Sequence, residues 1–318
     1  MRIGSMLGSD KERSAADRLA GLVADVQTAE RAGFTSLWIP QIPGYLDAMT
    51  AIALAGSVTT TIEIGTAVVP LQTRHPVSMA QQALTTQSAC GGRFTLGLGP
   101  SHHWIVKDQL GLPYDRPAGL LRDYLAVLNG AFAGTGMVDV DNANYRVHSP
   151  MDVAGPLSVP VVISALGPVM LRIAGEHAAG TILWMADERA IADHIAPRIT
   201  KIAAEAGRPT PRVIAGVPVA LCGTNEVDAA RAHASEVLGH ADISPNYERL
   251  LEHGDAEDVG DTMAAGDETA VTWRLLRYRD AGVTDLAARI VPLGDDPASR
   301  LASWRRTQDF LATLCPEL

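Results

Sequence analysis

Two adjacent histidines, His102 and His103, follow a short apolar run in the segment RFTLGLGPSHHW, residues 93–104. An imidazole with its ordinary pKa of about 6.5 can donate or accept a proton near neutral pH. Ser101 adds a hydroxyl beside them, and the glycines and Pro100 before them indicate that a strand ends here. The segment therefore predicts proton transfer or hydrogen bonding, provided that the strand delivers it to a ligand-binding face.

The chain lacks the common signatures of nucleotide-binding and nucleophilic sites. GLGPSH begins like the dinucleotide fingerprint GxGxxG, but His102 replaces the third glycine and Pro100 removes a backbone donor. Neither GxxxxGK[ST] nor GxSxG occurs. The predicted strand ends supply no obvious carboxylate ligand, so we predict no metal site. Amides, hydroxyls and a few cationic groups instead favour a large, flat cofactor with a polar rim.

The composition excludes several classes of protein. A net charge of -10 argues against nucleic acid as the main partner. Cys90, Cys222 and Cys315 are widely spaced and form no CxxC pair, so neither a disulfide framework nor a zinc knuckle is predicted. The first apolar run is too short for a signal peptide, and no stretch approaches the length of a membrane span. We expect a cytoplasmic protein that binds neither nucleic acid nor a membrane.

Short apolar runs alternate with amphipathic ones along the chain, which is typical of strand–helix units around a parallel sheet. The predicted strands lie near Arg2–Leu7, Ser36–Ile39, Ile62–Val69, residues 93–99, Pro160–Ser164, Gly180–Trp184, Val213–Leu221 and Leu286–Val291. The predicted helices lie near Ala15–Ala32, Asp47–Val58, Val77–Cys90, Arg116–Phe132, Val169–Gly175, Ala190–Ala206, Glu226–Leu238, Thr269–Ala281 and Pro297–Leu314.

Eight such pairs predict a (β/α)8 TIM barrel. We expect a single barrel domain over residues 1–318, with a hairpin insertion at about 134–158 and an irregular insertion at about 239–266 that holds one short helical piece.

Ligands bind TIM barrels at the carboxyl ends of the strands, because the loops there converge on the barrel mouth. This rule places Ser101 and both histidines at the mouth. It also places the segment SALGP there, Ser164–Pro168, which leaves a strand through small residues and enters a helix. Its amides beside the positive end of the helix dipole suit a phosphate, although an ordinary small-residue turn has the same sequence character.

Three segments carry a family resemblance: GTAVVPLQTRHPVSMAQQALTTQSACGGRFTLGLGPSHH, AGFTSLWIPQ and PVVISALGP. Together they resemble the luciferase-like monooxygenase family, which contains flavin monooxygenases and deazaflavin-dependent oxidoreductases. RHP, GLGPSHH, ALGPVMLRIAGEHAAGTILWM and GRPTPRVIAG are most similar to the branch that uses coenzyme F420. The similarity extends along nearly the whole chain, is least clear over about 239–266, and implies the same barrel fold.

The resemblance also implies where a cofactor lies. Ala67–Val68 matches a strand-three bulge with a non-prolyl cis peptide that supports the cofactor ring. The family's phosphate turn matches Ser164, Ala165, Leu166 and Gly167. Relatives often have a glycine at the position of Leu166. Gln41 and Ile42 replace an Asp–His pair of sugar-phosphate-oxidising relatives. Gln41 can still hydrogen-bond the cofactor edge, whereas Ile42 cannot carry a proton and is assigned to the substrate pocket.

By the same resemblance, His102 stands where those relatives have an acidic proton-transfer residue, so we predict that it is catalytic and contacts the cofactor; holding the cofactor without transferring a proton is the alternative. Ser101 is assigned to the cofactor and His103 to the substrate rim. Arg74 is predicted to bind the cofactor's phosphate or acidic tail, while His75 either does the same or caps its helix.

These residues predict an oxidoreductase that transfers a hydride between coenzyme F420 and a small organic substrate. An FMN-dependent monooxygenase that uses oxygen, and a family member that binds a flavin-like ligand without catalysis, are the alternatives. A homodimer is also an expectation, and the 239–266 stretch is either a lid or a dimer contact. Trp38 and Trp184 lie within predicted strands and are expected in the core.

Overall fold

The computed structural model describes residues 1–8, 13–153, 155, 157–239 and 244–316. Its strands, in chain order, are β1 (Arg2–Met6), β2 (Ser36–Ile39), β3 (Glu63–Thr66), β4 (Val69–Pro70), β5 (Phe94–Gly99), β6 (Met137–Asp141), β7 (Arg146–Pro150), β8 (Val161–Ile163), β9 (Gly180–Trp184), β10 (Arg212–Leu221), β11 (Ala264–Gly266) and β12 (Asp285–Ile290).

The helices are α1 (Arg18–Arg31), α2 (Ala48–Ser57), α3 (Pro76–Ala89), α4 (Pro117–Phe132), α5 (Pro168–His177), α6 (Ala196–Glu205), α7 (Val227–Leu238), α8 (Pro245–Leu251), α9 (Glu268–Asp280) and α10 (Pro297–Leu314). Two π-helical turns, Ile105–Gln109 and Ala190–Ile195, follow β5 and β9. Among the described residues, no helix combines the length and the apolar character that crossing a bilayer would need.

Eight parallel strands close into a barrel, as the alternating pattern predicts. β1, β2, β3, β5, β8, β9, β10 and β12 pair in that order, and β12 returns to pair with β1. β4 continues the line of β3 and pairs with β5. β11 pairs with the carboxyl end of β10, past the part of β10 that pairs with β9. The TIM-barrel prediction is therefore confirmed.

The barrel interior and the surrounding layer are separate apolar clusters, because neighbouring strand residues point to opposite sides. Trp38 lies inside, fully buried among side chains that include Met6, Val162 and Ile214. Leu37, next to it on β2, packs in the larger cluster between barrel and helices. The expectation that Trp38 belongs to the core is confirmed.

An ionic cluster lies where the strands begin, at the end opposite to the mouth. The Arg212 guanidinium lies 2.7 Å from a carboxylate oxygen of Glu63 and 2.7 Å from one of Asp285. Arg2 pairs with both carboxylates. The guanidinium also lies 5.6 Å from the ring centre of Trp38, so this cluster is attached to the barrel core. This end of such barrels serves stability.

The structure corrects three details of the sequence analysis. The third strand is not continuous over Ile62–Val69, because Ala67–Val68 interrupts it with a cis peptide bond. Within the stretch 239–266, the described residues contain the expected short helical piece as α8 and also a strand that was not expected, β11. The first third of the helix predicted over Ala190–Ala206 is a π-helical turn. The hairpin is present as β6 and β7, joined by a turn in which Asn142 Oδ1 accepts two backbone N–H groups.

Candidate active site

The glycines of β5 allow β3 to approach it closely before the strand breaks. A β-carbon at Gly97 would lie 1.9 Å from the carbonyl oxygen of Thr66, so only glycine fits. The Thr66 hydroxyl donates to the Gly97 carbonyl at 2.8 Å and accepts from its N–H at 2.7 Å. The cis bond between Ala67 and Val68, which the resemblance implied, follows immediately. The sequence GLG thus accommodates the bulge of the neighbouring strand.

Three strand ends meet at Gly99. A β-carbon at Gly99 would lie 2.2 Å from Ser164 Oγ and 2.9 Å from a methyl group of Val68. β5 and β8 are parallel neighbours, with Leu98 opposite Ile163. The histidine loop after β5, the bulge after β3 and the SALGP turn after β8 therefore open at the same rim, as predicted.

The loop after β5 is held in a defined conformation. Ser101 has a left-handed backbone with φ of 60°, which is uncommon for a residue with a side chain. Its carbonyl oxygen accepts from the Tyr114 hydroxyl at 2.9 Å, and the Pro100 carbonyl accepts from Gln72 Nε2 at 2.8 Å. These bonds fix the backbone that presents His102.

Two aromatic rings lie close to His102. The Tyr247 ring stacks on it at 5.8 Å between centres, with 26° between the planes, and the Trp104 ring lies at 5.7 Å and 30°. Burial lowers the pKa of His102 below its ordinary value, and the charge of neighbouring His103 acts in the same direction. The imidazole is therefore neutral at neutral pH and can accept a proton.

Tyr247 is a residue that sequence reasoning missed. It comes from α8, inside the stretch expected to be irregular, and burial raises the pKa of its phenol, which stays protonated. Asp187, in the loop after β9, anchors the chain that follows α8: its carboxylate accepts from the backbone N–H groups of Asp255 and Ala256. No local pattern in the sequence connects Tyr247 with His102.

Two buried polar atoms near this loop have no hydrogen-bond partner in the described part of the chain. They are the indole nitrogen of Trp104 and the amide oxygen of Gln72. Buried donors and acceptors are normally satisfied in native structures. An indole N–H donor and an amide acceptor beside the same loop are therefore available to a bound group.

Some backbone groups of the SALGP turn are already hydrogen-bonded within the protein. Ala165 is fully buried, and its N–H donates to the Thr181 hydroxyl. The Leu166 carbonyl accepts from His194 Nε2 at 2.9 Å. Gly167 precedes the first turn of α5, and a β-carbon there would meet nothing within 4 Å. The open part of the turn is consequently its end, from Gly167 into the helix, where backbone N–H groups begin without intrahelical partners.

The predicted residues after β2 and β4 lie on the same side of the barrel, and several of them already have partners within the protein. Gln41 Oε1 accepts from Ala48 N–H at the start of α2, which leaves its NH2 group for a ligand. Arg74 pairs with Asp47, which also caps α2. His75 Nδ1 accepts from Val77 N–H and caps α3, so the capping interpretation of His75 is confirmed.

The two predicted substrate residues lie in the expected loops. Ile42 follows Gln41 and is half-buried. His103 is exposed, with its ring edge-on to Tyr114 at 6.5 Å between centres. Within the described residues, no group of three or more His, Cys, Asp or Glu side chains could hold a metal ion.

Comparison with known proteins identifies the family. Residues 1–285 match the profile of the luciferase-like monooxygenases. The chain belongs to the luciferase-like monooxygenase family.

Relatives within this family include reductases. A 5,10-methylenetetrahydromethanopterin reductase of Methanolobus tindarius is 27% identical over 246 residues, which cover 75% of this chain and 74% of that protein. A putative coenzyme F420-dependent oxidoreductase of Mycobacterium tuberculosis is 30% identical over 168 residues, 49% of this chain and 48% of its own length. The family therefore contains oxidoreductases similar to this chain.

Solved structures that share the fold include proteins named for two different cofactors, F420 and FMN. The coenzyme F420-dependent tetrahydromethanopterin reductase of Methanopyrus kandleri superposes with a TM-score of 0.76 at 22% identity, covering 100% of this chain and 98% of that one. The oxygenating constituent of 3,6-diketocamphane monooxygenase from Pseudomonas putida, in complex with FMN, gives 0.75 at 16% identity over 100% and 99%. The fold is thus common to proteins that use F420 and proteins that use FMN.

Proposed function

We propose that this protein is an F420-dependent oxidoreductase that transfers a hydride between the deazaflavin and a small organic substrate. The observation that carries the proposal is the meeting of three strand ends at Gly99, which brings the histidine loop, the bulge and the SALGP turn to one rim. Membership in the family and the relative named as F420-dependent support the choice of cofactor.

The residues at this rim fit a large heteroaromatic group with a phosphate. The unpartnered indole N–H of Trp104 and amide oxygen of Gln72 offer one donor and one acceptor to its polar edge. The N–H of Gly167 and those that follow Pro168, which itself has no N–H, offer donors at a positive helix end to the phosphate. The proposed cofactor contacts remain those of the sequence analysis: Gln41, Ala67, Val68, Arg74, Ser101, His102, Ser164, Ala165, Leu166 and Gly167.

These contacts differ in kind. Because Ala165 is buried and its N–H is bonded within the protein, it acts by shaping the turn. Arg74 is already paired with Asp47, so its guanidinium would be shared between that carboxylate and an anionic group of the cofactor. Gly167 and Gln41 keep backbone or amide N–H groups that can bind directly.

The bound deazaflavin supplies the hydride chemistry, and the protein supplies position and the accompanying proton. His102 is neutral at neutral pH because burial lowers its pKa, so its ring nitrogen accepts the proton that a substrate loses when it is oxidised. In the reverse direction the protonated ring returns it. The rings of Tyr247 and Trp104 contact the imidazole and help to orient it. Ile42 and His103 are proposed to contact the substrate.

Titration of the purified protein with oxidised F420, followed by absorbance and cofactor fluorescence, tests the proposal directly. Saturable binding is expected, followed by reduction of F420 with a secondary alcohol, or oxidation of reduced F420 with an enone or imine. The His102→Gln variant should bind F420 but lose turnover, whereas His148→Gln, on the exposed hairpin, should match the wild type.

A parallel titration with FMN separates the rival cofactor. No binding of F420, together with FMN-dependent oxygen uptake, would replace the proposal by a monooxygenase activity. Tight binding of either cofactor with no turnover of any substrate, unchanged in the His102→Gln variant, would indicate a non-catalytic member. Sedimentation velocity tests the predicted homodimer.

A further inference from the structure

A cavity lies outside the barrel, between the helices α7 and α9 and the short strand β11. It has a volume of about 200 Å³, and three guanidinium groups line it. Arg231 comes from α7, while Arg274 and Arg277 come from successive turns of α9. In the part of the chain that the structure describes, no carboxylate lines this cavity. None of these residues belongs to the histidine loop or the SALGP turn.

The three cations have one close carboxylate between them. Glu188 Oε1 lies 2.7 Å from Arg274 Nε and 3.3 Å from Arg277 Nε, so the two arginines of α9 share it. Arg274 also donates to the carbonyl of Asp261 at 2.9 Å. Nε of Arg231 and Nε of Arg274 are both buried without a hydrogen-bond partner among the described residues, but only Arg274 Nε lies at ion-pair distance from a carboxylate. A buried guanidinium nitrogen without an acceptor is costly, and an anion is the acceptor that it prefers.

A neighbouring cavity of about 270 Å³ shares these arginines and does contain carboxylates. Two of those acids have other partners. Asp187 accepts from three backbone N–H groups, including that of Ala190 at 2.8 Å. Asp255 pairs with Arg189 at 2.6 Å. These two carboxylates therefore stabilise the loops in which they lie, and no described residue is hydrogen-bonded to Arg231 Nε.

The rest of the smaller cavity is apolar. Ala265, Ala270 and Met263 form part of its wall, and the Trp273 indole, which is 65% exposed, stands at its edge. Small side chains leave the guanidinium groups accessible, and an exposed indole offers a flat face to an apolar group. A ligand that fits both features carries an oxyanion on a small apolar body.

We infer that this cavity binds a small organic oxyanion, a phosphate ester or a carboxylate, with Arg231 as its principal ligand. Arg274 and Arg277 supply further positive charge, and Trp273 packs against the ligand's apolar part. The inference is independent of the proposed function, because it involves neither the barrel mouth nor the cofactor.

Phenyl phosphate and benzoate are suitable probes, with inorganic phosphate as competitor, measured by isothermal titration calorimetry at low salt. Saturable binding is expected, and added salt should weaken it. Arg231→Gln should reduce affinity by at least about tenfold, because a charge-assisted hydrogen bond is lost. Arg279→Gln is the matched control: it removes the same charge from α9, but Arg279 pairs with Asp280 and does not line the cavity.

Glu188→Gln provides a test of opposite sign. It removes the carboxylate that competes for Arg274 and Arg277, so affinity for the probes should rise severalfold. Thermal denaturation verifies that each variant is folded. Tighter binding of phenyl phosphate than of benzoate identifies a phosphate ester as the ligand class, and the reverse order identifies a carboxylate. Absence of saturable binding by every probe, or equal affinity in wild type and Arg231→Gln, would overturn the inference.

Discussion

Replacement of Gly97 by alanine should distort the junction between β3 and β5. The new methyl group would lie 1.9 Å from the Thr66 carbonyl oxygen. Because a non-bonded carbon needs well over 3 Å, the two strands must separate by about 1 Å or more. Overpacking of this kind costs about 1–3 kcal/mol. The separation also strains the two bonds between the Thr66 hydroxyl and Gly97, each worth about 1 kcal/mol. We expect a loss of about 2–5 kcal/mol in the free energy of unfolding.

Chemical denaturation measures this loss, and Gly119→Ala is its matched control. Gly119 lies in α4, where a β-carbon would meet nothing within 4 Å, so alanine should stabilise the protein by about 0.5 kcal/mol. In the folded Gly97→Ala variant, affinity for F420 should fall at least about tenfold, because Val68 moves with the bulge. An unchanged denaturation midpoint together with unchanged F420 affinity would refute the reasoning.

Three further outcomes are expected. Since burial lowers the pKa of His102, kcat/KM for substrate oxidation should increase as the pH rises through a value below 6.5 and then level off; a profile that still rises above pH 7 would contradict this. Hydrogen bonds from the amides of 60–62 outweigh burial and lower the pKa of Glu30 to about 2. Glu30→Gln should therefore lower the free energy of unfolding by about 1–3 kcal/mol at pH 7. Urea denaturation should show this difference between variant and wild type shrinking as the pH falls from 4.5 towards 2. A difference that stays constant over this range would contradict the role of the Glu30 carboxylate. Arg212→Met should lower thermal stability by at least about 2 kcal/mol, because buried Asp285 loses a partner, and should leave F420 affinity unchanged; weakened binding would show that this end of the barrel affects the mouth.

The barrel could be predicted because its signal is local. Each strand is a short apolar run bounded by turn residues, and each helix has its own periodicity, so eight pairs can be counted without knowing any contact. The position of His102 followed from the same count, since a loop after a parallel strand must open at the mouth. Trp38 was placed in the core for an equally local reason, because it lies in the middle of a strand.

The bulge after β3 has no such signal. TAVV reads as a buried strand, because every residue in it is small or β-branched. Only the family resemblance indicated the cis bond at Ala67–Val68. The complementary feature on β5 is visible afterwards: Gly97 and Gly99 alternate on the side that faces the bulge, where any side chain would collide with it. The two segments explain each other only once the strands are known to be neighbours.

The contact between Tyr247 and His102 was beyond sequence reasoning for a physical reason. α8 is only seven residues long, so its few buried apolar side chains, such as Leu250, give a weak signal, and the chain after it is held by hydrogen bonds to Asp187. Asp187 is almost fully buried, yet in the sequence it resembles any acidic residue near the start of a helix. Packing of α8 and hydrogen bonds to a distant carboxylate together place the tyrosine against the imidazole. Such an arrangement leaves no periodicity, so it becomes visible only when β9 and α8 are seen together.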